Sequence, residues 1–486
     1  TLFPEHYRMT FPSYGLDRIS PISNPGQPMP SSPLLPPNQG KRSSSHSRSP
    51  QLSVTYESLD GLPLIPSRRL AFFVLCLLSL VLVLPLSLVG PFFPGEAVRH
   101  GISLVAAGSI LSIFPLAVLV AAPICGKLVP LFGPKMLILF GGLLLGISTA
   151  AFALIDIFYG TRFMVLASFI RIVQGAGSAA ASTGSSALMA TLFPDEFGKV
   201  SGALEVCGSA GYMLGPFLGG ILFDYGGYRL PFYVIGVVIL VTMIPLVFLI
   251  PRRHSSFRVA SNITVGDILS CPGVPLIFLA SVAGMTVFSF LDLVLQPELS
   301  SQDVSSSSIG LLFVLISAIY ALASPIIGWA ATETHTRPMI IFGLALSSAS
   351  LCVLGPAPVG IPRTLLLQTS SLFFLSIGCA IIVVPVAPQM VTLTQHLGLG
   401  ATDVMSGVLI ASYSLGETVG PIIGGLLLQY VGMSTGASIF AALIAALAII
   451  VAIFPTTVRE RPMDPPQLKQ SLIPSTTIYL EHAPRN

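Results

Sequence analysis

Four ionisable residues stand within long apolar stretches of this sequence: Arg171, Glu205, Asp292 and Glu417. A charge at the centre of a bilayer costs about 3 kcal/mol, so such residues are rare and face a bundle interior or a cavity. A carboxyl group removed from water takes up a proton more readily than one at a surface. It can hold either a proton or an organic cation, and competition for one site exchanges the two. Glu417 lies in the middle of its stretch, with Tyr413 one helical turn before it on the same face. Asp292 lies toward one end of its own stretch, where a simple end charge is the alternative. Glu205 is one turn inside an end, where a solvated or packing role is the alternative. Arg171 offers a fixed positive charge that tunes the proton affinity of a carboxylate, or else a structural ion pair. A cation with several ammonium groups along a chain suits several separated carboxylates better than one. Tyr212, Tyr320 and Tyr413 could hold ammonium groups on their ring faces, although aromatic residues in apolar helices also serve simple packing. Glu96, just outside the first stretch, reads as a rim charge that attracts cations.

Other chemistries find no footing. His100, His254 and His396 fall in loops and form no metal set. No Gly-Lys-Ser/Thr phosphate loop is present, so ATP hydrolysis is not expected. Five cysteines (Cys76, Cys125, Cys207, Cys352 and Cys379) lie in or at the ends of apolar runs and Cys271 in a basic loop, with no close CxxC pair. They read as packing residues. No enzyme chemistry, cofactor or metal is expected.

The elements that must position these residues are membrane helices. Hydrophobic types make up 53% of the 486 residues and charged types only 9%, against roughly 25% in a soluble domain. A net charge of +3 argues against nucleic acid as a partner. Twelve apolar runs approach the length of about 20 residues that a helical span needs: 70–90, 102–123, 136–155, 163–190, 201–222, 232–250, 274–295, 308–330, 338–355, 364–390, 405–428 and 433–455. The organisation expected is a cytoplasmic tail over 1–68, a six-helix half over 69–251, a cytoplasmic loop over 252–272, a second half over 273–455 and a C-terminal tail over 456–486. The first 69 residues carry 13 Ser and 12 Pro, too polar to bury a core, and are expected to be disordered. No apolar run precedes Leu70, so no cleaved leader is expected.

Lys and Arg favour the cytoplasmic side of a membrane. With both ends inside, that side carries Arg68, Arg69, Lys127, Lys135, Lys199, Arg252, Arg253, Arg258, Arg337, Arg459 and Arg461, and the other only Arg99, Arg162, Arg229 and Arg363. The sequon at Asn262 then faces the wrong side for glycosylation. In the same orientation the tail presents "YESL", from Tyr56 to Leu59, and "DGLPLI", from Asp60 to Ile65, to the cytoplasm. These fit tyrosine and acidic dileucine sorting patterns that adaptors read.

The halves repeat. "GSILSIFPLAVLVAAPICG" (108–126) matches "GLLFVLISAIYALASPIIG" (310–328), and "GYMLGPFLGG" (211–220) matches "GETVGPIIGG" (416–425). A duplicated six-helix unit explains both. Gly211, Gly215 and Gly219 form a bare ridge that another helix can approach closely. Pro216 frees a backbone carbonyl and bends the helix.

These motifs resemble the major facilitator superfamily. Gly211, Gly215, Pro216, Gly219 and Gly220 look like its antiporter motif on span five. "RIVQGAGSAA", with Arg171, Gln174 and Gly175, is similar to its R-x-x-Q-G motif on span four. "GKLVPLFGPK" (126–135) resembles its gating loop, matching at Gly126, Leu128, Gly133 and Lys135, while Pro130 stands where the family has Asp. That departure puts the usual cytoplasmic charge lock in question. "GPFFPGEAVRHG" (90–101), "LGPFLGGILFDYGGYRLPF" (214–232) and "FSFLD" (288–292) look like the vesicular amine transporter family, and most like its polyamine-transporting branch. The resemblance implies an all-α integral membrane protein of two pseudo-symmetric six-helix halves, working as a monomer by alternating access. It implies proton-driven loading of cationic amines, polyamines foremost, into secretory or synaptic-type vesicles, with lysosomal or plasma membrane as the alternative. Glu417, Asp292, Glu205, Arg171 and Tyr413 are the expected substrate and proton-coupling residues. A monoamine, a drug-like cation or an organic anion is the alternative cargo. The monoamine-loading relatives keep a carboxylate in span one, and none is obvious here. A non-transporting sensor or scaffold is the alternative of another class.

Overall fold

The computed structural model describes residues 68–193, 197–249, 263–331, 336–355, 364–397 and 401–453, and these residues are helical or in short connections. The first half comprises α1 (Arg68–Ser87), the short α2 (Phe93–Arg99), α3 (Leu104–Phe132), α4 (Pro134–Phe152), α5 (Gly160–Leu192), α6 (Phe197–Gly226) and α7 (Arg229–Leu249). After α8 (Val265–Leu269) come α9 (Val274–Ser300), α10 (Ser306–Ala330), α11 (Thr336–Leu354), α12 (Leu365–Val383), α13 (Val386–Thr394) and α14 (Ala401–Ile453). Eleven stretches are long and apolar enough to cross a membrane. The last, α14, holds two of the expected spans, because Gly432 turns the chain inside it at φ 76°, ψ 169°. Gly227 makes the corresponding turn between α6 and α7 at φ 65°. Only glycine enters this region at little cost, so one residue type sets the same turn in each half.

Span ten departs from the continuous run read in the sequence. It breaks between α12 and α13 at Val384 and Pro385, where proline gives no N–H to the helix ladder. The expected loop 252–272 also holds structure: Thr264 and Asp267 form a reciprocal capping box that starts α8. The Thr264 backbone N–H, then its hydroxyl, donate to the Asp267 carboxylate and hold it below its ordinary range. The two tails, the sequon Asn262, Tyr56 to Leu59 and Asp60 to Ile65 lie outside the described residues.

The repeated glycines decide how helices pack. An added Cβ on Gly211 would collide with the α1 backbone at Leu80, one on Gly219 with the backbone of Leu88 just after α1, and one on Gly215 with Ser87. In the second half, Gly416 and Gly420 meet α9 in the same way. Ser87 Oγ donates to the Gly211 carbonyl at 3.5 Å and Ser289 Oγ to the Gly416 carbonyl at 3.1 Å. The same device therefore joins spans one and five and spans seven and eleven.

The halves meet by a second symmetric pair of contacts. Gly108 of α3 faces the Pro421 carbonyl of α14, and an added Cβ on Gly310 of α10 would lie 2.6 Å from the Pro216 carbonyl of α6. Nearer the side assigned to the lumen by charge, Gly425 backs onto Leu104 and Gly220 onto Ser306. There Asp224 accepts from the Ser307 backbone N–H at 2.9 Å, and Gln429 from that of Val105 at 3.1 Å. Each half thus caps the first turn of a helix in the other.

Candidate functional site

A cavity of about 180 Å³ lies between the halves. The first half supplies Arg171 from α5 and Ser209, Tyr212 and Pro216 from α6. The second supplies Phe288 and Asp292 from α9, Tyr320 from α10, and Tyr413, Glu417 and Pro421 from α14. The antiporter segment and its repeat place one proline each in the wall. A proline removes the helical N–H that would meet the carbonyl four residues earlier, and those positions are Tyr212 and Glu417.

Of the substrate and proton-coupling residues expected from the sequence, Arg171, Asp292, Tyr413 and Glu417 come together here, beside Tyr212, Tyr320 and Pro216. The side chain of Glu205 lies outside the described set. The Tyr212 hydroxyl donates to Glu417 Oε1, joining α6 of one half to α14 of the other. Asp292 lies beside Gly90, where an added Cβ would stand 3.4 Å from Asp292 Oδ1. The turn just after α1 therefore packs against this carboxylate and Phe313.

Arg171 is 1% exposed. Its Nη1 donates to the Pro85 carbonyl at 3.1 Å and to Gln174 Oε1 at 3.3 Å, and its guanidinium lies 4.9 Å from the centre of the Phe152 ring. Gln174 donates on to Thr149. Nε and Nη2 have no protein partner, and no carboxylate pairs with Arg171 among the described residues. The structural ion pair considered as its alternative role is therefore not formed there. Gly175, the last residue of this motif, lets α5 approach α3, since an added Cβ would stand 2.5 Å from the Phe114 carbonyl.

The gating loop lies away from the cavity. Gly133 adopts φ 79° between α3 and α4, and Lys135 Nζ donates to the Val247 carbonyl near the end of α7 at 2.7 Å. A cation suits a helix C-terminus. Pro130 remains inside α3, and an added Cβ on Gly126 would meet nothing within 4 Å. Glu96 is not an exposed rim charge: it is buried in α2 and paired with Arg99 at 2.6 Å. Sequence reading noted Tyr212 as an aromatic residue and missed its bond to Glu417. The signal was present, for both are the second residue of the repeated segment.

Twelve apolar spans in two related halves around a shared, charge-bearing cavity define a membrane transporter. The Major Facilitator Superfamily model matches the chain over residues 75–296 and again over 273–483. The chain is 30% identical over 378 residues to the MFS-type transporter SLC18B1 of Rattus norvegicus, covering 76% of this chain and 82% of that one. Its counterpart in Homo sapiens is also 30% identical over 378 residues, with 75% and 81% covered. The vesicular acetylcholine transporter of Drosophila melanogaster is 26% identical over 364 residues, covering 72% of this chain and 60% of that one. The chain belongs to the major facilitator superfamily, in its vesicular amine transporter family.

Proposed function

We propose that this chain is a proton-coupled antiporter that carries cationic amines, polyamines foremost, from cytoplasm into acidic vesicles. The observation that carries this reading is the shared cavity, with Asp292 and Glu417 in its wall beside Tyr320, Tyr413 and Phe288. Two carboxylates suit a cation with more than one ammonium group, and ring faces add attraction for each. Arg171 supplies the fixed charge that favours the ionised carboxylates. In the proposed cycle, lumenal acid protonates a carboxylate and expels the amine. The neutral cytoplasm then removes the proton and frees the site. The proton gradient drives the cycle without a cofactor.

The chain acts as a monomer in this reading. Tyr56 to Leu59 and Asp60 to Ile65 serve as adaptor signals that direct it to vesicles. A singly charged amine is the competing cargo, favoured by the acetylcholine-named relatives.

Uptake of labelled spermidine into acid-interior proteoliposomes tests the proposal, with and without a proton ionophore and with serotonin alongside. Ionophore-sensitive spermidine accumulation is the expected result. Serotonin accumulation without spermidine would remove the polyamine assignment and leave the exchange mechanism. If neither accumulates in vesicles holding folded protein, the cationic cargo is wrong.

A further inference from the structure

Tyr212 and Glu417 occupy the same place in the two copies of one repeat. Each follows the first glycine of its segment, and each stands four residues before the proline. Their side chains meet across the cavity, the phenol donating to the carboxylate. Two positions related by a two-fold axis can touch only near that axis. The bond therefore lies close to where one half must rock against the other.

Across the halves the helices that carry the pair also meet α10 and α3, through backbone contacts at Pro216 and Pro421. The glycine ridge of α6 packs on α1, and that of α14 packs on α9. The phenol–carboxylate bond thus adds a direct polar tie between the two halves at the cavity. Its strength depends on what Glu417 holds. An O–H donating to an ionised carboxylate is roughly twice as strong as a bond between neutral groups. No ion pair to Glu417 is formed among the described residues, so a donor there offsets the cost of a buried charge.

We propose that Tyr212 is a positioning residue that latches the unloaded carrier, tying ionised, empty Glu417 to the opposite half. The inference rests on exchange at Glu417 as described above. A proton on Glu417 neutralises the acceptor, and a bound ammonium group takes over its charge. Either one loosens the tie and lets the halves turn. The empty ionised form stays held, so the carrier crosses only when loaded with a proton or an amine. Without the latch, Glu417 takes a proton from the acidic side, crosses, releases it and returns empty. That cycle dissipates the gradient with no amine moved.

The test uses the full chain in proteoliposomes with an acid interior and a trapped pH dye, and no amine present. Tyr212→Phe is expected to speed decay of the gradient about tenfold, the weight of a charged hydrogen bond. Adding Glu417→Gln should abolish the extra leak, because the carboxyl group is the proton carrier. Gradient decay in Tyr212→Phe equal to wild type would overturn the latch, as would a leak that persists in the double variant. Tyr212→Leu makes the same test if the Phe variant does not purify. Wild-type amine uptake that survives Glu417→Gln would instead overturn the parent reading, so the two failures are told apart.

Discussion

Arg171 carries the sharpest question about a single residue. It is fully buried, its partners are a carbonyl, an amide and an aromatic face, and two of its nitrogens lack a protein partner. A buried charge with no countercharge costs stability, and an apolar side chain of similar length removes that cost. A residue kept for packing would behave otherwise. Arg171→Met is therefore expected to melt no lower than wild type while losing nearly all amine uptake. A melt several degrees lower with uptake retained would make Arg171 a structural residue. At this scale the sequence was informative where a charge interrupted an apolar run, as at Arg171, Asp292 and Glu417. It was fainter where the partner was neutral, and lay only in the matching places of the two repeats. Nothing in "GYMLG" by itself distinguishes a packing tyrosine from one that reaches a carboxylate in the other half. Glu96 was misleading in the opposite way, since its burial against Arg99 depends on how α2 folds back on the bundle.

Among the elements, the ends of α3 and α10 test the cross-half architecture. Asp224 of α6 caps α10 and Gln429 of α14 caps α3, at matching places on the side assigned to the lumen by charge. Loss of a helix cap costs about 1 kcal/mol, or roughly fivefold in an equilibrium. Asp224→Ala and Gln429→Ala should each favour the lumen-open form by about that factor. A cysteine at Ser317, in the cavity wall, would report this through faster reaction with an impermeant thiol reagent applied from the lumenal face. Unchanged rates in both variants would mean that these caps do not close that side. The glycine segments showed that some helix packs closely there, though not which one, because four-residue glycine spacing exposes backbone to a neighbour. The break in span ten and the short α8 were not legible from hydropathy, which reads through a proline and past a capping box. Both are local backbone events, visible only to hydrogen-bond reasoning at Pro385 and Thr264.

For the whole molecule, duplication explains more than the span count. Ser87 and Ser289, Gly227 and Gly432, Asp224 and Gln429, and Tyr212 and Glu417 take equivalent places in the two halves. Some of these pairs keep the same chemistry, as the turning glycines do. Others have diverged: aspartate against glutamine at the caps, and tyrosine against carboxylate at the cavity. The fold is symmetric, as alternating access needs, and the chemistry is not. On the proposed reading, the second half carries the cation-binding groups and the first half carries the groups that answer them. Exchange of an amine for a proton at Glu417 is the central claim. The most direct measurement is proton efflux from acid-loaded proteoliposomes on adding spermidine outside, followed with a trapped pH dye against protein-free vesicles. Alkalinisation of the interior by wild type, absent in Glu417→Gln, is the expected result. Amine entry without proton efflux, or equal efflux from Glu417→Gln, would contradict it.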